Sequence, residues 1–225
     1  MPSPQADRDF NDEDAAADGG AESADAAEVA APARKRPKPG ERRVQILQTL
    51  AAMLEEPGAD RITTAALAAK LQVSEAALYR HFASKAQMFE GLIEFIEQSI
   101  FTLTNQITER DADPALQARR IVFMLLQFGE KNPGMARVMV GDALVFENER
   151  LSARMNQFFD KVESQLRQSL RAAAERAGSQ TPTVDANGRA SALTALAVGR
   201  LQRFTRSGFK RSPTEQIEMA LGLLT

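Results

Sequence analysis

"RITTAALAAKLQVSEAALYRHFASKAQMF", residues 61–89, reads as two helices too short to bury much alone, with almost nothing between them. Leu67, Leu71, Val73 and Leu78 are spaced to share one small core, and Ala68 is small where the helices must approach closely. Thr63 or Thr64 can cap the first helix, near residues 63–71. Ser74 can cap the second, near residues 74–82, because a hydroxyl there accepts from the free N–H groups of a first turn. A turn this tight sets the helices at a steep crossing, so one rests on a DNA backbone while the other enters the major groove. The alternative is a plain helical hairpin inside a bundle. A buried hairpin would not end in Tyr79-Arg80-His81, and that weighs for a helix-turn-helix.

Outward from this stretch the pattern stays helical. Upstream, "ERRVQILQTLAAMLEE" places Val44, Leu47, Leu50, Ala51 and Leu54 on one face. Downstream, a long helix from near Ser84 to near Glu109 carries a stripe of Phe89, Leu92, Ile93, Ile96, Ile100, Leu103 and Ile107 at the 3.6-residue period. The next, "DADPALQARRIVFMLLQFGEKNPG", has Pro114 near its start and Asn132-Pro133-Gly134 as its end. Its middle is apolar on nearly every side, which places it at the centre of a C-terminal bundle. A long element over residues 147–177 follows, with acids leading and arginines closing it as the helix dipole favours. Two more helices are expected near 186–206 and 213–224. No alternating strand segment appears, so the fold class is all-α.

Charge is unevenly spread. The chain has 28 basic and 30 acidic residues, a net of -2, yet residues 1–33 hold nine acids and one base. Residues 34–43, "RKRPKPGERR", hold six bases and one acid. Residues 1–40 carry almost no large apolar side chain and read as a disordered acidic tail and basic arm. The acids suit either a solvated tail or a nucleic-acid mimic competing for the protein's own basic surface. The arm is placed to lie along a DNA backbone or minor groove. With no cysteine and one histidine, His81, thiol chemistry, histidine-rich metal sites and a serine–histidine triad have no material; no metal and no cofactor is expected, and an enzyme has little to stand on. The longest apolar run, Ile121–Leu126, is too short to span a bilayer, and the N-terminus lacks a signal peptide's apolar core. A soluble cytoplasmic protein with no membrane partner is the expectation.

"LYRHFASKAQMF" after "TTAALAAKLQVS" resembles the DNA-binding domain of the TetR-type regulators, whose pattern is a tyrosine, a phenylalanine three on and a lysine three beyond: here Tyr79, Phe82 and Lys85. The resemblance implies a three-helix DNA-binding domain over residues 41–101, with its helix-turn-helix at about 63–82. It also implies a C-terminal helical dimerisation and partner-binding domain over 102–225. It gives Thr63, Thr64, Ser74, Glu75, Ala77, Tyr79, Arg80, His81 and Lys85 as DNA-contacting candidates. The tyrosine, its polar neighbours and the lysine take phosphates; Lys85 at a helix start makes sense if an anion arrives there. Alanines can meet thymine methyls, and Glu75 can accept from a cytosine amino group. Gln72 stands in the turn where that family often has glycine, so a left-handed residue is expected there.

Within that family the stretches 61–100 and 119–151, and "LQRFTRSGFKRSPTEQ" near the C-terminus, are similar to the nucleoid occlusion factors. That resemblance implies a homodimer on palindromic double-stranded DNA that also binds the C-terminal tail of FtsZ, the tubulin-like division GTPase, so that the division ring does not assemble over the nucleoid. It places the tail beside the fourth and fifth helices, on Phe95, Met124, Lys131 and Asn132, with Lys131 and Gln127 departing from the residues expected there. The residues themselves add that Phe95 lies about 120° from the apolar stripe, with Met88 pointing the same way. Either a second packing surface or a docking groove accounts for that. Ala192, Leu193, Leu196, Ala197, Leu201 and Phe204 read as the flat stripe of a dimer seam. The rival reading is a ligand-responsive repressor with a small-molecule cavity lined by Phe123, Phe128, Phe146 and Phe158.

Overall fold

The computed structural model describes residues 40–56 and 61–225, all within one compact unit. The acidic tail and residues 34–39 of the basic arm lie outside the described residues. Among the described residues there is no strand.

α1 (Glu41–Glu55), α2 (Thr64–Leu71) and α3 (Glu75–Tyr79) form the N-terminal unit, and α4 (Lys85–Arg110) leads out of it. Ile46, Leu50 and Leu54 of α1 are buried in one apolar cluster with Leu67, Ala68, Leu78 and Phe82. Each large side chain so buried contributes about 1.5–3 kcal/mol. The turn after α2 is made as the spacing predicts. Gln72 adopts the left-handed conformation (φ 55°, ψ 47°), and the Val73 N–H donates to the Ala68 carbonyl at 3.0 Å. A side chain there costs about 1 kcal/mol, which the closed turn and the core on either side offset. Val44 is a correction: it is exposed, and Ile46 and Met53 bury instead, because α1 turns a different face to α2 and α4.

α5 (Pro114–Lys131) packs against α4, α7 (Glu149–Arg176), α8 (Pro182–Arg206) and α9 (Ile217–Leu224), the central position its all-round apolar middle requires. α7 and α8 run along each other as the longest pair. Between α5 and α7 lies an unexpected helix, α6 (Pro133–Met139), followed by a 3-10 turn at Asp142–Leu144. Asn132-Pro133-Gly134 does end α5, but Pro133 also opens α6, since proline suits a first helical position as well as a stop. α6 packs on α1. A Cβ added to Gly134 would sit 2.1 Å from the Ala51 carbonyl oxygen, so only glycine allows this approach. Arg137 Nη1 donates to the Leu54 carbonyl at 3.3 Å, one of the α1 carbonyls that has no partner in its own helix.

Three further expectations are corrected. α8 begins at Pro182 and α9 only at Ile217. Met88 is fully buried rather than sharing the exposed side of Phe95. Leu193, Ala197, Leu201 and Phe204 are buried within the protomer, Leu201 against Gly129 of α5, so they form the inner face of α8 and not a seam. The outward face carries Val184, Gly188, Ala192 and Ala195, beside Met219 and Leu223 of α9.

Candidate nucleic-acid interface

Three hydroxyl caps position the candidate residues. Thr63 Oγ1 accepts from the Ala66 N–H (3.1 Å), Ser74 Oγ from Ala77 (3.3 Å) and Ser84 Oγ from Gln87 (3.2 Å). Each fixes the first turn of α2, α3 or α4. Gln87 reaches back to the Ala83 N–H (2.9 Å), so the entry to α4 is held from both sides. Thr63, Ser74, Glu75, Tyr79, Arg80 and His81 are exposed, and Thr64, Ala77 and Lys85 half-buried. Tyr79 keeps 46% of its surface in solvent although it ends a helix whose Leu78 is buried. A phenol left out of the core this way is free to hydrogen-bond outside the fold.

Two candidates are already engaged. The Thr64 hydroxyl donates to the Glu75 carboxylate at 2.6 Å, tying the start of α2 to the start of α3. The bond uses one oxygen of the Glu75 carboxylate and leaves the other able to accept. Lys85 forms an ion pair with Glu147, just before α7, and its ammonium lies 5.7 Å from the Phe89 ring. Arg150–Glu90 and Arg154–Glu97, both at 2.6 Å, continue this seam between α7 and α4. The hydrogen bond to Glu97 raises the Arg154 guanidinium further above its ordinary value, against the opposing effect of burial. Elsewhere, the Ser179 hydroxyl donates to Asp185 at the start of α8 and holds that carboxyl below its ordinary range.

Arg43, the last residue of the basic arm, has partners within the fold. Its Nη1 donates to the His81 carbonyl at 2.9 Å, and its guanidinium lies 4.0 Å over the Phe82 ring, which locks α1 to the end of α3. Arg42 donates to Gln45. No local pattern pointed to the Arg43 role, since its partners are 38 residues away.

The Lys85–Glu147 pair gives a testable expectation. Lys85→Ala should weaken binding to all sequences alike and flatten the salt dependence by about one unit of slope. Glu147→Gln should release the ammonium and tighten palindrome binding about threefold to fivefold, the scale of a partly exposed ion pair. In a Lys85→Ala background the same Glu147→Gln change should do nothing, which fluorescence anisotropy on the double-mutant cycle checks.

A second surface lies between α4 and α5. Phe95 is 49% exposed, and its ring centroid is 6.4 Å from that of Phe128. One turn back along α5, Met124 lines a groove with Leu103, Ile107 and Arg120. Lys131 is exposed at the end of α5. The Asn132 side-chain amide donates to the Phe128 carbonyl at 2.8 Å, so it works as a C-terminal cap here. Phe128 and Leu103 are the residues the sequence reading missed for this face; the i, i+4 step from Met124 to Phe128 was the available signal. The phenylalanines of the rival reading do not line one cavity: Phe158 is buried beside Phe101 and Phe159, Phe128 faces Phe95, and Phe146 is 68% exposed.

Comparison with known proteins follows this division of the chain. Residues 46–92 match the family model of bacterial regulatory proteins of the tetR family, and residues 113–225 match a tetracyclin repressor-like C-terminal domain of SlmA-like type. The nucleoid occlusion factor SlmA of Vibrio vulnificus is 51% identical over 189 residues, covering 84% of this chain and 96% of its own. The SlmA of Photobacterium profundum is 51% identical over 185 residues, covering 82% and 94%.

The chain belongs to the SlmA family of nucleoid occlusion factors.

The SlmA family lies within the TetR-type regulators, which are DNA-binding proteins and not enzymes. Solved structures agree on the fold: PfmR of Thermus thermophilus superposes with a TM-score of 0.64 at 21% identity, covering 81% of this chain and 94% of its own. FadR of Bacillus subtilis, solved with stearoyl-CoA, does so with 0.64 at 14% identity, covering 80% and 96%. Among the described residues no helix is long and apolar enough to cross a membrane.

Proposed function

We propose that this SlmA-family chain acts as a two-fold dimer that binds palindromic chromosomal sites through Thr63, Thr64, Ser74, Glu75, Ala77, Tyr79, Arg80, His81 and Lys85. On its α4–α5 face it takes the C-terminal tail of FtsZ, so that division rings do not assemble over the nucleoid. Residues 41–101 serve as the DNA-binding domain and residues 102–225 as the dimerisation and partner-binding domain, with α4 running from one into the other. The protein then works in the cytoplasm, on the nucleoid. The observation that carries the tail reading is Phe95: a large aromatic, 49% exposed, paired with Phe128 on the α4–α5 face, which also carries a groove lined by Met124 and Leu103. A half-exposed aromatic alone fits a packing surface as well as a docking site; membership of the SlmA family favours docking here. Lys131 beside it offers a charge to a tail carboxylate, and Asn132 a second polar contact.

Fluorescence anisotropy with a labelled FtsZ tail peptide and, separately, a labelled palindrome tests this reading. Binding of both is expected; a wild-type protein that binds DNA and never the peptide leaves a gene repressor. The dimer is supported by the outward stripe on α8 and by Met219 and Leu223 of α9, 80% and 82% exposed. Pairing two such faces sets the recognition helices roughly 34 Å apart, one DNA turn. Leu223→Glu is expected to give a monomer by light scattering and to weaken palindrome binding to the level of a half-site. A wild-type monomer at micromolar concentration would remove the dimer.

A further inference from the structure

The end of α8 carries a group of cations that none of the above uses. Arg203, Arg206, Lys210 and Arg211 surround one shallow concavity together with Ser207, and all four are exposed. The backbone is shaped to gather them. After α8 the chain closes through Gly208 (φ 62°) and Phe209 (φ 64°), with the Phe209 N–H bonded to the Phe204 carbonyl at 3.0 Å. A phenylalanine in the left-handed region costs about 1 kcal/mol. Here its ring returns to the Phe204 ring, 5.2 Å between centroids. Ser207 Oγ then accepts from both the Lys210 and Arg211 N–H groups, at 3.1 and 3.0 Å. The reversal brings Lys210 and Arg211 back beside Arg203 and Arg206.

Among the described residues no acid pairs with these four. Four of the five arginines of α7 show the contrast: Arg150, Arg154, Arg167 and Arg171 each hold a glutamate. Four like charges held together by a strained turn repel one another, and an arriving anion relieves that repulsion. The position in the fold selects the anion. Glu147, two residues before α7, pairs with Lys85 at the start of α4, so α7 begins at the helix-turn-helix end of the bundle. α8 returns along α7, and its last turn is tied to that same end, where Thr205 Oγ1 donates to Asp142 Oδ2 at 2.9 Å. The cluster and Lys85 therefore share one end of the molecule.

We infer that Arg203, Arg206, Lys210 and Arg211 form a second nucleic-acid surface, a phosphate-binding cluster on the C-terminal bundle that holds the DNA backbone without reading its sequence. This rests on the DNA-binding reading of α2 and α3 and extends it to a part of the chain outside the helix-turn-helix. Arginine and lysine with no base edge in reach contribute affinity and salt dependence but no specificity. Such a surface lengthens the time the protein stays near DNA between palindromes.

The test uses the full chain with Arg203→Gln, Arg206→Gln and Lys210→Gln combined, all at exposed positions. Salt titrations of binding are run on a palindromic and on a scrambled duplex. Affinity for both is expected to fall about tenfold or more, with the log–log salt slope shallower by about two to three units and the palindrome-to-scrambled ratio unchanged. An unchanged slope on the scrambled duplex overturns the inference. So does a variant that keeps its DNA slope but loses a labelled FtsZ tail peptide, because the cluster would then serve an acidic peptide. A wild-type protein that binds neither duplex would instead remove the helix-turn-helix reading itself, a result distinct from both.

Discussion

Gly134→Ala is expected to lower the melting temperature by roughly 5–10 °C and to weaken palindrome binding more than half-site binding. The added Cβ would sit 2.1 Å from the Ala51 carbonyl oxygen and 3.3 Å from Glu55 Cγ. Because the first of these is backbone, α1 and α6 must move apart, and the cost of such overpacking is about 2–3 kcal/mol. Gly129→Ala is the control. Its Cβ would meet Leu201 Cδ2 at 2.4 Å, but that is the end of a side chain, which can rotate at a cost nearer 1 kcal/mol. The functional part follows from where the contact lies. α1–α6 is a main joint between the helix-turn-helix and the bundle, with Arg137 on the Leu54 carbonyl beside it. Shifting that joint changes the spacing of two recognition helices in a dimer while leaving each one intact. Thermal melts and anisotropy on full and half sites separate the two effects; equal melting temperatures for both alanine variants would refute the backbone clash.

What the sequence made legible was local, and what it hid was tertiary. The helix-turn-helix could be read because its determinants lie within about twenty residues: the Thr63 and Ser74 caps, Gln72 in the turn, and Leu67, Leu78 and Phe82 facing one core. α5 announced its central place by a middle that is apolar on nearly every side. Pro133 was ambiguous in principle, since the same residue ends one helix and begins the next, and only packing on α1 decides it. Periodicity on α8 located its apolar face correctly but could not say whether that face meets the same chain or a partner. Leu193, Ala197 and Leu201 turn out to serve the protomer's own core, leaving the smaller residues for the outside. Lys85 and Arg43 were the harder cases. Their partners, Glu147 and the His81 carbonyl, are 62 and 38 residues away, and a lone charge carries no trace of such a partner in its neighbours. The rival reading places Phe128 in an interior cavity; its ring instead leans toward the exposed Phe95.

Phe95→Ala is expected to weaken FtsZ-tail binding about thirtyfold or more while leaving palindrome affinity unchanged. A buried aromatic anchor at the centre of an interface commonly carries about 2 kcal/mol or more, and that converts to this factor. Phe95 meets the conditions for an anchor. It is half in solvent before binding, its partner ring Phe128 is already in place at 6.4 Å, and the helix beneath it is buried from Leu92 to Ile100 along its inner face. Truncation removes the anchor without opening the core, so stability should hold, and circular dichroism melts check that. Lys131→Glu should act differently: as an exposed charge at the rim it should weaken the peptide by a smaller factor that shrinks as salt rises. DNA binding is insulated by distance. Phe95 follows Lys85 by ten residues on one helix, about 15 Å along its axis. A Phe95→Ala protein that kept full peptide affinity would show that the tail, if it binds, uses another face. Equal losses for peptide and palindrome would show that the substitution had disturbed α4 as a whole.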